Sequence, residues 1–240
     1  MFHKIGFIGL GLIGGSIAKK IHTLYPEVTI IATAGHQDTI AKAYEQHLIS
    51  NQTLCEIDDF YDCDYIFLCT PVRRNIDYLR QLKGKIKPGC IITDVGSVKT
   101  DIHKEVIALD MEECFIGGHP MAGSEKTGLD NANEYLLENA YYILTPTTKT
   151  DSGRLEEFRS LVTQLGAVAL VLDYHLHDYA TAAISHLPHI IAYSLVNLVK
   201  QSDDENETMK TIAAGGFKDL TRIASSSPVM WQNICQSNSE

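Results

Sequence analysis

The first half of the chain alternates short apolar runs with segments whose apolar residues recur at helical spacing. The apolar runs predict buried strands, and they are KIGFIGL (4–10), VTIIATA (28–34), DYIFLCTPV (64–72), CIITD (90–94), ECFI (113–116) and AYYILTP (140–146). The segments between them predict helices, as in SIAKKIHTLY (16–25) and residues 39–47. This alternation is typical of a doubly wound α/β sheet, in which ligands bind beyond the carboxyl ends of the strands.

After about residue 172 the pattern becomes helical. Residues 172–200 predict one or two helices that are apolar on most sides past Ile184, and so wide an apolar face must be buried by something, such as a second subunit. The polar stretch QSDDENET (201–208) predicts an exposed loop, and Ser227-Pro228 predicts a further helix start. We therefore divide the chain into an α/β domain, residues 1–171, and an all-helical domain, residues 172–240.

The turn after the first predicted strand carries a G-x-G-x-x-G motif, GLGLIG (9–14). Between a strand and a helix this motif is a dinucleotide fingerprint, typical of a Rossmann-type domain, and a glycine-rich turn without a ligand is the alternative. Gly9 permits the tight turn, Gly11 leaves room for a pyrophosphate, and Gly14 lets the helix pack close to the strand. The helix N-terminus, at Leu12 and Ile13, offers free N–H groups to the phosphates.

The end of the second predicted strand bears on the choice of cofactor. In NAD-binding units an Asp or Glu often stands there and bonds the ribose hydroxyls, whereas an Arg favours a 2′-phosphate. Ala34 holds that place here, followed by Gly35, His36 and Gln37. These residues therefore do not decide between NAD and NADP as the cofactor.

Charge and cysteine usage restrict the class of protein. The 240 residues carry a formal net charge of −10, which argues against a nucleic-acid partner and gives no basic face for a membrane. The six cysteines include no C-x-x-C pair, and several lie in apolar runs, which indicates buried thiols in a reducing cytosol. We see no signal-peptide pattern and no apolar run of transmembrane length, so we expect a cytoplasmic protein.

Polar residues follow several predicted strands, and the loops that begin at strand ends can converge. His119, in the loop GGHPMAG, can accept a hydrogen bond or a proton near neutral pH, or it can be a structural loop histidine. Ser97 can cap the next helix or orient His119. The carboxylates between residues 58 and 64 match no metal-ligand spacing, so we expect a solvated surface and no metal.

Three candidates lie in the helical half. His186 and His189 are three residues apart and share a helix face, where they can be core histidines, line a pocket, or bind a metal for which no third ligand is obvious. Arg222 is by default a surface residue, and its planar guanidinium can also hold a carboxylate.

Taken together, these segments resemble the prephenate dehydrogenase family of tyrosine biosynthesis. The resemblance spans nearly the whole chain, and its motifs are GLGLIGGS (9–16), CTPV (69–72), TDVGSVK (93–99), GGHPMAGSEKTG (117–128), SHLPH (185–189) and GGFKDLTRIASSSPVMW (215–231). It implies an oxidoreductase that passes a hydride from prephenate to a nicotinamide. Carbon dioxide is lost in the same conversion, and the product is 4-hydroxyphenylpyruvate.

The resemblance also implies residue roles. His119 corresponds to the histidine that engages the 4-hydroxyl and takes its proton, Ser97 to the serine that bonds this histidine beside the nicotinamide, and Arg222 to the arginine that holds a substrate carboxylate. The other substrate-pocket residues that it implies are Ser124, Glu125, His186 and His189. The cofactor-binding residues are Gly9, Gly11, Leu12, Ile13, Gly14, Thr70, Pro71 and Ser97.

NAD is the commoner cofactor in such family members, so we expect NAD, with NADP still open. We expect a homodimer through the C-terminal helices, with an altered interface because residues 172–240 are a shorter helical region than is usual for the family. Arogenate dehydrogenase and a truncated nucleotide-binding protein with little catalysis are the alternatives. A β-hydroxyacid dehydrogenase is a third, although it would normally place a catalytic lysine where SHLPH stands.

Overall fold

The computed structural model describes residues 2–124, 126–226 and 228–238, apart from the side chain of Val229. By its internal contacts the chain divides into a first unit, Met1–His177, and a second unit, Asp178–Glu240. The first unit contains the sheets and the second is helical, so the predicted fold class, an α/β region followed by an all-helical region, is confirmed.

A four-stranded parallel sheet forms the centre of the first unit. Its strands, in spatial order, are β2 (Thr29–Thr33), β1 (Lys4–Ile8), β3 (Tyr65–Leu68) and β4 (Ile91–Asp94). The helices that follow them are α1 (Leu12–Leu24), α2 (Gln37–Glu45), α3 (Val72–Leu82) and α4 (Thr100–Ala108). Every residue of β3 and β4 is buried, and β3 is accordingly a continuous apolar run, YIFL, rather than an alternating pattern.

The two faces of this sheet carry separate apolar clusters. Phe7 and Phe67 stack with their ring centroids 5.1 Å apart in one cluster. Their chain neighbours Ile8 and Leu68 belong to the other cluster, together with Phe60. Successive side chains of a strand point to opposite faces, so a single pair of neighbouring strands supplies both clusters.

A second, three-stranded sheet completes the first unit. It contains β5 (Ile116–Pro120), β6 (Tyr141–Pro146) and β7 (Val168–Val171), with α5 (Ser152–Gln164) between the last two strands. β5 and β6 are antiparallel and β6 and β7 are parallel, and one bridge joins Ile92 to Phe115. The sequence pattern gave residues 140–146 as the last strand of this region and missed β7, a four-residue edge strand whose apolar side chains are largely exposed.

The placement of His119 in a loop was wrong. This residue is the fourth of the five residues of β5 and pairs with Ile143 of β6. The glycines before it, Gly117 and Gly118, lie in the same strand. A Cβ at these two positions would collide with a neighbouring atom at 2.2 Å and 2.6 Å, respectively. They therefore permit close packing of the strand and do not mark a loop.

Helices make up the second unit. They are α6 (Tyr174–Thr181), which begins in the last residues of the first unit, α7 (Leu187–Ser202), α8 (Thr208–Ile212), α9 (Gly215–Thr221) and α10 (Pro228–Ser237). Between α6 and α7 the helix widens into a π-helical turn, Ala182–His186. Pro188 explains this turn, because it has no N–H to donate to Ile184 and its ring would clash with that carbonyl.

The sequence predictions for this region are confirmed in part. Of the predicted loop, 201–208, residues 203–207 are a loop, whereas residues 201 and 202 end α7 and residue 208 begins α8. The helix α10 starts at Pro228 as expected, while Ser227 lies outside the described residues. By length and composition alone, however, the helical run Tyr174–Ser202 would be enough to cross a membrane, so the expectation of no such run was wrong. A helix in the core of a protein passes the same test of length and composition.

Candidate functional site

The glycine turn between β1 and α1 has room for the phosphates of a dinucleotide. Gly9 has a φ of +103°, which L side chains rarely adopt. A Cβ on Gly14 would lie 2.4 Å from the Gly9 carbonyl oxygen, whereas a Cβ on Gly11 would meet no heavy atom within 4 Å. Gly11 is the N-cap of α1 and has no side chain to bond the first N–H groups, including those of Leu12 and Ile13. The turn therefore fits a pyrophosphate.

The loop after β3 lies against this turn. A Cβ on Gly9 would come within 2.9 Å of Thr70 Cγ2, so Thr70 is a direct neighbour. Asn75, a fully buried residue of α3, fixes the loop: its Oδ1 accepts hydrogen bonds from the Thr70 N–H at 3.1 Å and from Thr70 Oγ1 at 2.5 Å. Its Nδ2 donates to the Leu68 carbonyl at 3.2 Å. Pro71, the exposed N-cap of α3, completes this edge.

The end of β2 offers no carboxylate, as the sequence indicates. Ala34 is half-buried, and His36 is the exposed N-cap of α2. Gln37 is held by other contacts, since its Nε2 donates to the Gln52 carbonyl at 2.8 Å and its Oε1 accepts from the Leu54 N–H at 3.1 Å. The structure thus leaves His36 as the exposed polar side chain that follows Ala34 most closely.

A buried ion pair between Asp94 and Lys99 lies at the end of β4. Neither side chain has any exposed surface. One Asp94 oxygen accepts from the Lys99 ammonium and from the Gly96 N–H at 2.9 Å, and the other accepts from the Gly118 N–H at 3.2 Å. Lys99 also donates to the Gly118 carbonyl at 2.7 Å. Both residues stand in the motif TDVGSVK, whose sequence alone indicates no role for either of them.

This ion pair brings the segments of Ser97 and His119 together. The residue before each of them, Gly96 and Gly118, donates its N–H to the same carboxylate, that of Asp94. Ser97 is half-buried in the loop, and His119 is 9% exposed. The interpretation of Ser97 as a helix cap was wrong, because the N-cap of α4 is Lys99.

His177 is a second histidine at this site that the sequence analysis missed. It lies on α6 with no exposed surface, and its Nε2 is 2.8 Å from Nδ1 of His119. The two ring centroids are 5.0 Å apart, with the planes at 71°. The signal in the sequence was weak, since His177 stands in the ordinary helical segment YHLHDY (174–179).

Two predicted substrate-pocket residues follow β5. Ser124 is exposed, and its Oγ accepts a hydrogen bond from the Lys126 N–H at 3.1 Å. Glu125 lies outside the described residues.

In the second unit, both predicted histidines contact Trp231. His189 stacks on the indole with the centroids 3.5 Å apart, and His186 meets it edge-on at 6.0 Å. Nδ1 of His189 must carry a hydrogen, because it lies 3.0 Å from the Ser185 carbonyl, which can only accept. His186 is buried, with its Nδ1 3.1 Å from Asn238 Nδ2. Arg222 is exposed and follows directly after α9.

The acidic stretch before β3 is a set of ion pairs. Asp62 pairs with Lys4, Asp64 with Lys87 at 2.6 Å, and Asp58 with Lys85 at 2.7 Å. Within the described ranges, no group of three or more His, Cys, Asp or Glu side chains has a geometry that would hold a metal ion.

Comparisons with known proteins agree on one family. Residues 17–171 match the profile described as prephenate dehydrogenase, nucleotide-binding domain, and residues 173–240 match prephenate dehydrogenase, dimerization domain. Prephenate dehydrogenase of Bacillus subtilis strain 168 is 39% identical over 236 residues, which are 97% of this chain. This chain spans 63% of the length of that relative.

Solved structures are also similar over nearly the whole chain, and two of them show the extent of this similarity. Prephenate dehydrogenase from Aquifex aeolicus in complex with hydroxyphenyl propionate and NAD⁺ superposes with a TM-score of 0.92 at 32% identity, covering 100% of this chain and 84% of that one. Arogenate dehydrogenase from Synechocystis superposes with a TM-score of 0.85 at 34% identity, covering 98% and 84% of the two chains.

Proposed function

Since the chain belongs to the prephenate dehydrogenase family, we propose that it oxidises prephenate to 4-hydroxyphenylpyruvate with NAD and releases carbon dioxide. The observation that carries this proposal is the attachment of the Ser97 and His119 segments to one buried carboxylate, that of Asp94. β4 of the parallel sheet ends at that carboxylate, and carboxyl ends of parallel strands are where ligands bind in such folds. Membership of this family argues against the β-hydroxyacid dehydrogenase alternative.

NAD, when bound, supplies the acceptor for the hydride that leaves C4 of the substrate ring. In our proposal Gly9, Gly11, Leu12, Ile13 and Gly14 hold its phosphates, with Thr70, Pro71 and Ser97 as further contacts. The open space beside Gly11 and the free helix N-terminus support this assignment. The segment after β2 contains no Arg for a 2′-phosphate, and the Aquifex aeolicus relative was solved with NAD⁺, so we favour NAD over NADP.

His119 has the central catalytic role in this proposal. It takes the proton of the 4-hydroxyl as the C4–O bond gains carbonyl character, and it returns that proton to the phenolate oxygen once carbon dioxide has left. Ser97 orients the His119 ring. Aromatisation and loss of carbon dioxide drive the reaction, so the protein mainly positions the groups and stabilises charge.

Substrate recognition falls, in our proposal, to Arg222, Ser124, Glu125, His186 and His189. Arg222 holds a substrate carboxylate through two parallel N–H donors, which a planar guanidinium is suited to provide. The stacking of His189 on Trp231 fixes that ring and leaves its Nε2 as an acceptor in the neutral form, which supports a role in binding.

We also propose a cytoplasmic homodimer with no nucleic-acid or membrane partner. Residues 1–171 then form the dinucleotide-binding domain, and residues 172–240 form the substrate and dimerisation domain. The match of residues 173–240 to a dimerisation domain supports this arrangement, and so do the exposed apolar side chains of α7, such as Ile191 and Leu198. The net charge of −10 and the six free cysteines agree with the cytoplasm.

Arogenate dehydrogenase is the second candidate, because the Synechocystis relative with that name is 34% identical to this chain. The test is reduced-nicotinamide formation by the purified chain, with prephenate and arogenate each offered together with NAD and with NADP. We expect the highest kcat/KM with prephenate and NAD. A preference for arogenate would favour the second candidate, and NAD binding without turnover on any pair would favour a nucleotide-binding protein with little catalysis.

A further inference from the structure

The hydrogen bond between His119 and His177 restricts where both rings carry their protons. Nδ1 of His119 and Nε2 of His177 are 2.8 Å apart, so one of the two nitrogens donates and the other accepts. Both rings are buried, which disfavours two positive charges side by side. Two neutral rings can form this bond in two ways, and each way fixes the tautomer of His119.

In the first arrangement His177 donates from Nε2, so Nδ1 of His119 accepts. Neutral His119 then carries its hydrogen on Nε2 and offers a donor to its other side. In the second arrangement Nδ1 of His119 carries the hydrogen and donates it, so the basic lone pair of the ring lies on Nε2. Only the second arrangement leaves His119 able to take a proton at Nε2.

The second arrangement also accommodates the charge that follows proton uptake. When Nε2 of His119 takes a proton, both of its nitrogens carry hydrogen and the ring becomes an imidazolium. The Nδ1–H bond to His177 then becomes charge-assisted and stronger, while His177 stays neutral with its own hydrogen on Nδ1. A base whose second nitrogen is held by a third group is the general arrangement of activated bases.

We propose that His177 is a positioning residue that holds His119 in the Nδ1–H tautomer and stabilises its imidazolium form. The proposal rests on the proposed function for the role of His119 as a base. It does not depend on which of prephenate and arogenate is the substrate, because both carry the 4-hydroxyl. His177 itself touches His119 and acts on the reaction through that ring.

Three variants of the full chain test the proposal. His177→Gln keeps an amide oxygen that can accept from His119, His177→Leu removes the acceptor at similar size, and His175→Leu replaces an exposed histidine of the same helix. We expect His177→Leu to lower kcat at least tenfold, on the order of the cost of a displaced catalytic group, with the KM for NAD within about twofold. His177→Gln should restore most of kcat, and His175→Leu should match the wild type.

A double variant separates positioning from mere packing. In a His119→Asn background the base is already absent, so adding His177→Leu should change kcat by less than about twofold. If His177 only supported the fold, Leu would be tolerated better than Gln at this buried position. The loss of kcat caused by His177→Leu would then be the same in the His119→Asn background as in the wild type. Wild-type kcat in His177→Leu, no advantage of Gln over Leu, or full additivity would each overturn the proposal.

A spectroscopic readout remains if the chain turns over neither substrate or if the variants do not fold. The ¹⁵N shifts and long-range ¹H–¹⁵N couplings of the wild-type His119 ring distinguish its tautomers. We expect Nδ1–H in neutral His119 of the NAD-loaded protein. An Nε2–H tautomer would overturn the inference about His177, whereas Nδ1–H without turnover would contradict the proposed function alone.

Discussion

The two units differ in how completely each buries its own apolar residues. The first unit holds two apolar clusters, one on each face of the parallel sheet. In the described part of the second unit the buried apolar residues are Ala192 and Trp231, while Ile184, Ile191 and Leu220 are 69%, 56% and 68% exposed. The first unit therefore has a core of its own. The second requires a cover, which we propose is a second copy of the chain.

The buried polar groups of the two units differ as well. The first unit encloses a complete ion pair, Asp94–Lys99, and the histidine pair beside it. The second unit instead arranges His186 and His189 around a single tryptophan. In the proposed mechanism, the histidine that exchanges a proton therefore lies in the unit that has its own apolar core, where burial and fixed partners set its chemistry.

The largest expected effect tests whether the chemistry resides in the first unit. We expect His119→Asn to lower kcat by about 100-fold or more, the scale of general-base loss, with no change in oligomeric state. Initial rates of NADH formation measure the first quantity and sedimentation velocity the second. Near-normal turnover in this variant would remove His119 from the mechanism.

The next prediction tests whether a second copy of the chain covers the exposed apolar residues of α7. An aspartate at Ile191 would be an unpaired charge in an apolar interface, so Ile191→Asp should raise the dimer dissociation constant by about 30-fold or more. Sedimentation equilibrium measures this constant. Ile107→Asp is the matched control, because Ile107 is 48% exposed on α4 of the first unit. If Ile191→Asp dimerises as tightly as the control, the exposed face of α7 is not the interface.

A pair of glycine variants tests how tightly the first unit is packed around the glycine turn between β1 and α1. Gly14→Ala should lower the free energy of unfolding by about 1–3 kcal/mol, because its Cβ would collide with the Gly9 carbonyl. Gly11→Ala should leave stability within about 0.5 kcal/mol and weaken NAD binding, because its Cβ enters open space. Thermal denaturation and titration calorimetry measure the two effects. Equal effects of the two variants on stability would contradict the assigned difference.

The smallest effect concerns the rim of the first unit. Burial tends to raise the pKa of Asp64, but hydrogen bonds from the His3 N–H, the Lys87 ammonium and the Lys4 N–H outweigh it and lower that pKa. A lowered pKa in the fold means that the ionised carboxylate adds stability above its unfolded pKa, about 3.9, and that this stability is lost as the pH falls.

Asp64→Asn should therefore lower the Tm most near neutral pH, and the gap to the wild type should close below about pH 4. Thermal denaturation at several pH values measures this gap. Glu45→Gln, which neutralises an exposed carboxylate of α2, is the control and should show no such trend. A Tm difference that stays constant with pH would contradict the role of the ionised Asp64.

The sequence was most informative where one residue type has a local geometric task. The strand, glycine turn and helix at residues 4–24 were predicted because the roles of Gly9 and Gly14 follow from the absence of a Cβ. The wide apolar face of α7 could also be predicted, because helical periodicity shows which side of a helix must be buried. What covers that face is not encoded in the same periodicity.

The sequence was least informative where a role depends on pairing across the chain. His177 lies 58 residues from His119, so no local pattern connects them. β7 was missed because its four residues are an edge strand with exposed apolar side chains. His119 was placed in a loop because Gly117 and Gly118 resemble loop residues, whereas their actual task is to let β5 pack against Asp94 and Thr145.

The Asp94–Lys99 pair restricts which substitutions these two positions can accept during evolution. Removing one member leaves the other as a buried charge without compensation, at a cost of about 3–5 kcal/mol, a large share of the stability of an ordinary domain. Removing both avoids that penalty but frees the N–H groups of Gly96 and Gly118. Replacing either residue alone by an uncharged one is thus disfavoured, so we expect related sequences to keep both charges or to lose both.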